Sequence, residues 1–508
     1  MNDSVKQNYK FFPAPGICLT LIGFRGKRLY LLPSIFLLFF IFLTFAPLKN
    51  SRMNRKILLL AVPNIVTNIT IPLLGMVDLG LMGHLESAIY IGAIALGSII
   101  FNFLFWGFGF LRMGTSGFTA QAFGSRNLQE STRVLVRAVM MALGGGVLMI
   151  LLQVPVANLA FLLIGGSQEV EQLARQYFYI RIYAAPATLV MYALTGWFIG
   201  MQNARTPMIL AISINVFNIL FSLGFIYFLE MKSDGIALAN VLSQCIGVLL
   251  SILFLKGYFR KLKKYYNFRE AMNWKAIKPF VSVNKDIFIR TLCLIFVLSF
   301  FTTESASTGD TILAVNTLLF QFFYFFSYFI DGYAYAAEAL TGRYIGARDN
   351  TQLKKVIRLL FFWGLALSGI FTLIYGFGGE YILRFLTDNP TIILESQSYL
   401  FWIFLIPFVT FSAFLWDGIY VGATASVPMR NSMVIITLVV FLPAYYLLRE
   451  PLGNNGLWLA TMIWLGSRGI SLWLLSKRSI YGRITPPQPS PEGEGVSPLA
   501  SEAKQTRI

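Results

Sequence analysis

Residues 207–229 read PMILAISINVFNILFSLGFIYFL, twenty-three residues without a charged side chain, with Arg205 just before them and Glu230 just after. A hydrocarbon core of about 30 Å takes about 20 helical residues to cross. No water completes backbone hydrogen bonds there, and a helix satisfies them within one segment. A membrane barrel needs short runs that alternate apolar and polar residues. This run is continuous, so it reads as a membrane-spanning helix.

The same kind of run recurs on both sides of it. Candidate spans lie near 56–82, 89–113, 133–163, 172–202, 207–229 and 234–256, and again near 280–303, 309–340, 354–378, 393–423, 428–449 and 454–477. Over 508 residues the hydrophobic fraction is 56% and the charged fraction 13%, against roughly 25% charged in soluble domains. The expected fold class is an all-α integral membrane protein of twelve transmembrane helices.

A net charge of +18 invites a nucleic-acid reading, but the basic residues gather in short segments between apolar runs, as the positive-inside rule describes. Arg126, Arg133 and Arg137 follow the second span, Arg205 the fourth, and a basic stretch from Lys256 to Lys278 the sixth. Arg343, Arg348, Lys354, Lys355 and Arg358 follow the eighth span, and Lys477, Arg478 and Arg483 the twelfth. The intervening loops carry Glu86, Glu169, Glu171, Glu230, Asp234, Asp388 and Glu395 instead. This asymmetry places Ser51 and Ile484, the ends of the twelve-helix body, in the cytoplasm of a multi-pass cell-membrane protein. The basic linker is also suited to a weak contact with anionic membrane lipids. Cys18, Cys245 and Cys293 are scattered in apolar surroundings, and His84 reads as a loop residue, so neither a metal nor a cofactor is expected. The chain contains no HExxH or P-loop pattern, which argues against a membrane-embedded enzyme and against an ATP-driven pump.

The two halves resemble each other. Gly124-Ser125-Arg126-Asn127 closes the second span and Gly346-Ala347-Arg348-Asp349 the eighth, 222 residues on (346 − 124). Pro186 is matched by Pro407, and Pro207-Met208 by Pro428-Met429, each 221 residues on (407 − 186, 428 − 207). A duplicated unit of six helices is even-numbered, so both copies share one orientation and a pseudo-two-fold axis runs along the membrane normal. The expected organisation is an extra N-terminal segment over 1–52, an N-lobe over 53–256 and a basic cytoplasmic linker over 257–279. A C-lobe over 280–480 and a disordered cytoplasmic tail over 481–508 complete it. The apolar run at 29–47 has basic residues on both flanks, so it reads equally as a further span, a signal-like segment, or sequence ahead of a start at Met53.

Charged side chains inside spans are costly, and therefore informative. Asp78 sits in the first span after Pro63 and Pro72, which can bend that helix. Asn215, Asn218 and Ser222 share one face of the fifth span, and Asn240, Ser243 and Gln244 one face of the sixth. Gathered around Asp78 these groups make a polar pocket in an apolar wall, where a carboxylate can take up a proton. In the second half Arg290 lies in the seventh span, Asp331 and Glu338 on one face of the eighth, and Asp417 in the tenth. Arg290 is expected to pair with Asp417 or Glu338, because an unpaired guanidinium in hydrocarbon is expensive. Phe322, Phe323, Tyr324, Phe325, Phe326, Tyr328 and Phe329 crowd the eighth span, and lipid-facing packing is expected of them.

These residues carry a resemblance. The stretches are Asp78 behind its prolines, Leu111-Arg112-Met113-Gly114-Thr115 with Ala120-Gln121-Ala122, and Asn203-Ala204-Arg205-Thr206-Pro207. Ile289-Arg290-Thr291-Leu292, the run Asp331 to Leu340, and Asp417-Gly418 with Gly422-Ala423-Thr424 follow in order. Residues 53–480 thereby resemble the multidrug and toxic compound extrusion (MATE) family, most closely its DinF-type branch. The resemblance implies two six-helix lobes forming a V, alternating access, and export of amphipathic, often cationic small molecules driven by inward H⁺ or Na⁺. It also implies a cation-coupling set of Asp78, Asn215, Asn218, Ser222 and Asn240. Where that family often has an acidic residue four positions after the fifth-helix Asn, this chain has Ser222. One carboxylate suits a proton better than Na⁺, a hard cation that prefers several charged or polar oxygen ligands. The chain is expected to work as a monomer. The rival function is a flippase for a lipid-linked or amphipathic headgroup, which a wide, strongly cationic central cavity would favour.

Overall fold

The computed structural model describes residues 52–83, 88–164 and 167–483, without the side chains of residues 71, 78–79, 81–83, 88, 259–261, 263 and 483. Residues 1–51, His84 and residues 484–508 therefore lie outside the described residues, and with them the expected extra segment and most of the expected tail. Tyr481–Arg483 forms a 3₁₀ turn, so helical order runs on past the twelfth span into the first residues assigned to the tail.

The chain is helical throughout the described residues. In the first half α1 is Arg52–Gly83, α2 Ala88–Gly107, α3 Phe110–Gly124, α4 Leu128–Leu151, α5 Gln153–Ile164, α6 Gln168–Arg181, α7 Ala185–Gly200, α8 Arg205–Leu229 and α9 Ser233–Leu262. The short α10, Phe268–Ala271, lies in the basic linker. The second half runs α11 Trp274–Thr308, α12 Asp310–Gly346, α13 Asn350–Leu386, α14 Pro390–Gln397, α15 Leu400–Gly422, α16 Ser426–Ile435, α17 Leu442–Leu452 and α18 Asn454–Ser479. Eleven spans among the described residues are long and apolar enough to cross a bilayer. The twelfth is α18, 26 residues long, whose apolar average is lowered by Arg468 and its opening asparagines.

Local chemistry explains where spans break. The second span runs from Ile89 to Gly124 but is interrupted between α2 and α3, where the amides of Phe108 and Gly109 bond back three residues, to Phe105 and Trp106, and tighten the turn. The third span stops at Leu151 instead of running on to 163, and α5 follows as a separate helix. Pro155 accounts for the break, because it has no N–H to donate to the Leu151 carbonyl four residues back and its ring crowds that carbonyl. In the eleventh span a π-helical turn, Ile436–Phe441, precedes Pro443, whose missing N–H and bulky ring widen the turn behind it.

Two apolar cores define two lobes. One gathers residues from α2 to α9 together with Phe280 of α11. The other gathers α12 to α18, with Met53, Ile57, Leu60, Ala61 and Ile65 of α1. The opening helix α1 thus places its buried residues in the opposite lobe's core, whereas α11 gives Phe280 to the first core and Ile287, Val297 and Phe301 to the second. The aromatic run of α12 is not lipid-facing as expected: Phe322, Phe323, Phe326 and Phe329 are buried in the second core, with Phe326 and Phe329 packed edge-on to Phe371. In a tilted bundle a span in the middle of a lobe has little lipid-exposed face, and aromatic rings fill its interior.

The duplication is visible atom by atom, both where the lobes meet and inside each lobe. A Cβ added at Gly124 would meet the Arg343 carbonyl, and one at Gly346 the Gln121 carbonyl, the same pairing 222 residues apart. Gly200 sits against the Ser116 carbonyl and Gly422 against the Glu338 carbonyl. Gly196 and Gly418 repeat this on Arg112 and Ala334. Small residues let helix backbones touch in lipid, where water supplies no drive for association. The turns repeat as well: Arg126 and Arg348 take φ of 57° and 55°, and Gln202 and Thr424 take 64° and 50°. Asn127 and Asp349 cap the next helices, accepting from the amides of Glu130 and Gln352. Gln121 donates to the Gly422 carbonyl at 2.9 Å, and Gln202 to that of Ala339 at 2.8 Å, so the seam is also hydrogen-bonded at this end.

Candidate functional site

Two polar centres lie inside the lobes. In the first lobe Asn215 of α8 donates to the Thr70 carbonyl of α1 at 3.0 Å, which ties the fifth span to the helix that carries Asp78. Asp78 is two turns further along α1, just past the apolar stretch that ends at Val77, and its side chain lies outside the described residues. Asn218 is fully buried and its amide reaches the Ser243 hydroxyl of α9 at 3.5 Å. Asn240 donates instead to Ile236 of its own helix, at 3.0 Å. Asn218 Oδ1 and Ser222 Oγ are buried without a hydrogen-bond partner. Two orphaned oxygens on one helix face are an unmet demand for a donor, a water or an ion.

The second centre is built from charges. Asp417 of α15 accepts through one oxygen, Oδ2, from Arg290 of α11 and from Arg468 of α18, the latter at 2.6 Å. All three side chains are at most one-tenth exposed. Arg468 also lies over Trp464, 5.1 Å from the ring centroid. Of the two partners expected for Arg290, the fold selects Asp417. Glu338 pairs with Arg112 of α3 at 3.3 Å, across the seam between lobes. Asp331 is half-buried within electrostatic reach of Arg112, Arg290, Asp417 and Arg468. Three guanidinium groups and three carboxylates therefore share the middle of the molecule. Five of them are desolvated in direct ion pairs, Arg112 with Glu338 and Arg290 and Arg468 with Asp417, and Asp331 feels the same charges at longer range.

Sequence reasoning missed Arg468 and the partnership of Arg112. Arg468 stands between Gly466 and Gly469 amid apolar residues, the same signal that singled out Arg290. Arg112 appeared only as one letter of a motif. A third buried acid, Asp286, is held by Ser426 at 2.7 Å and Arg430 at 2.5 Å, beside the turn that opens the eleventh span.

The comparisons with known proteins bear on this geometry. The MatE family model matches twice, over residues 63–223 and 288–447, once in each half of the duplication. The chain belongs to the MATE family. DNA damage-inducible protein F of Escherichia coli K12 is 38% identical over 82% of this chain and 91% of its own length, which places the chain in the DinF-type branch. A probable multidrug resistance protein NorM of Photorhabdus laumondii is 24% identical, over 87% of this chain and 99% of that one. Among solved structures, MATE in the bent conformation aligns with TM-score 0.75 and 20% identity, over 85% of this chain and 96% of that one. A MOP superfamily transporter from Pyrococcus furiosus aligns with TM-score 0.74 and 20% identity, over 86% and 98%. The fold of this MATE transporter is the two-lobed, twelve-helix one, and it is a multi-pass membrane protein.

Proposed function

We propose that this chain is a secondary active exporter that antiports amphipathic or cationic small molecules against H⁺ by alternating access, as a monomer in the cell membrane. The observation that carries the reading is the seam. Backbone-close glycine contacts and glutamine hydrogen bonds join the lobes near the ends of α3, α7, α12 and α15, where the basic loops lie. A seam tight at one end, between two halves related by a pseudo-two-fold axis, is what a rocking motion around a central path requires. The basic loops near that end support a cytoplasmic side for it.

The charge balance at the centre favours an exporter over a flippase. Three arginines faced by three acids do not make the strongly cationic cavity that an anionic headgroup would want. Within the first lobe, Asp78 with Asn215, Asn218, Ser222 and Asn240 forms the coupling site. Ser222 supplies a hydroxyl where a second carboxylate would be needed to hold Na⁺ well, so the coupling ion is a proton. Asp78 charged draws on amide donors; Asp78 neutral releases them, and the proline-weakened α1 repacks. Arg290, Asp417 and Arg468 hold the second lobe in register around the path.

The test is ethidium export by purified protein in proteoliposomes under an imposed pH gradient, with and without Na⁺. Export should follow the pH gradient and ignore Na⁺. Asp78→Asn should insert normally yet lose uphill export by about tenfold or more, since each 1.4 kcal/mol of lost coupling is a factor of ten. Uphill export at the unmutated rate by a well-inserted Asp78→Asn protein would overturn proton coupling at this residue.

A further inference from the structure

The pair formed by Arg112 and Glu338 is built differently from the rest of the charged centre. Glu338 is 1% exposed, and Arg112 engages it through Oε2 alone, at 3.3 Å, with the Ser116 hydroxyl of α3 as the carboxylate's other polar neighbour. Charge-assisted bonds of this kind ordinarily measure about 2.7–2.9 Å and are often bidentate. The guanidinium lies over the Tyr335 ring, 4.0 Å from its centroid. Asp331, Tyr335 and Glu338 stand at i, i+4 and i+7 on α12 and so share one face. A carboxylate and an aromatic face presented together to a flat cation are the elements by which proteins recognise organic cations. Here the cation in place is a side chain of the opposite lobe.

The two sides of this contact belong to different lobes. The Arg112 backbone is pressed against Gly196 of α7, and the α12 backbone at Ala334 against Gly418 of α15. Each clamp lies within one lobe, so parting the lobes withdraws Arg112 from Glu338 and leaves the acid and the ring bare.

Resting on the export reading above, we propose that Glu338 and Tyr335, with Asp331 beside them, form a subsite for a planar organic cation, and that Arg112 is its internal competitor. With the seam open the subsite takes the cationic group of the substrate. When the seam shuts, the Arg112 guanidinium enters and displaces that group toward the other end. The weak, single-oxygen pair suits this role, because a competitor that bound its site fully would exclude the substrate at every stage.

The experiment measures ethidium binding by fluorescence to the full-length protein in nanodiscs, with the neutral dye Nile red as control. Arg112→Ala should tighten ethidium binding by about tenfold, as expected from removing a competing cation, and leave Nile red unchanged. Adding Glu338→Gln should abolish the gain, and adding Tyr335→Leu should reduce it. Should Arg112→Ala give no folded protein, Arg112→Gln replaces it, with the same expectations. Unchanged ethidium affinity in a folded Arg112 variant, or a gain that survives Glu338→Gln, would overturn the proposal and leave the pair a structural tie. Wild-type ethidium export is measured separately, so absence of transport counts against the export reading and the binding series decides the subsite.

Discussion

Asp417 holds two arginines with one oxygen, and that arrangement sets unequal consequences for its three members. Removing Arg290 leaves Asp417 still paired with Arg468. Removing the Asp417 charge leaves two guanidinium groups facing each other in a dry place. Breaking a buried pair by deleting one partner costs roughly 3–5 kcal/mol. Asp417→Asn should therefore lower the unfolding temperature of the purified protein far more than Arg290→Ala. The double variant Arg290→Ala with Asp417→Asn should remain unstable, because Arg468 is then unpaired, and adding Arg468→Met should restore part of the loss. Equal thermal stability of Asp417→Asn and the unmutated protein would show that the cluster is not held by that carboxylate.

At the scale of elements, the helices pack through glycines whose environments differ sharply. A Cβ at Gly124 or Gly346 would run into a backbone carbonyl, which cannot rotate aside, whereas Gly144 in α4 has nothing within 4 Å. Alanine is better than glycine inside a helix by about 1 kcal/mol where space allows. Gly144→Ala should be neutral or raise the unfolding temperature. Gly124→Val and Gly346→Val should lower it and cut export strongly, to similar extents, because the duplication gives them equivalent neighbours, the Arg343 and Gln121 carbonyls. The comparison of the three variants by thermal unfolding and dye export checks this. A harmless Gly124→Val would mean that the backbones do not touch at the seam. The repeat itself was legible in the sequence from glycine, proline and Asn/Asp landmarks at a near-constant offset. Which backbone each glycine meets was not, because close approach depends on how helices cross, and crossing is decided by the whole set of facing side chains.

For the whole molecule, alternation between two arrangements requires the seam to open. Gln121 donates to the Thr424 hydroxyl at 3.2 Å, linking α3 of one half to the turn after α15 of the other. Cysteines placed at these two positions, in a chain whose Cys18, Cys245 and Cys293 are replaced by serine, should be bridged by a short reducible dithiol reagent. Transport should stop on bridging and return on reduction. Export that continues at full rate through a bridged seam would show that the lobes do not part there. Reporter fusions at Ser51 and Ile484 should both report the cytoplasmic side, as the basic loops demand.

The sequence alone determined the membrane class, the number of spans, the duplication and the family, because each is written in local quantities: run length, charge placement and the spacing of turn residues. The same local reading flagged Asp78, Arg290, Asp331, Glu338 and Asp417, since a charge inside an apolar run is conspicuous wherever it sits. Only the tertiary structure decided which charges meet. Arg290 is 127 residues from Asp417 and Arg112 is 226 from Glu338, and no spacing rule connects such residues. Their pairing follows from which helices the two lobes place side by side, and from the electrostatic cost that leaves no buried charge far from its opposite.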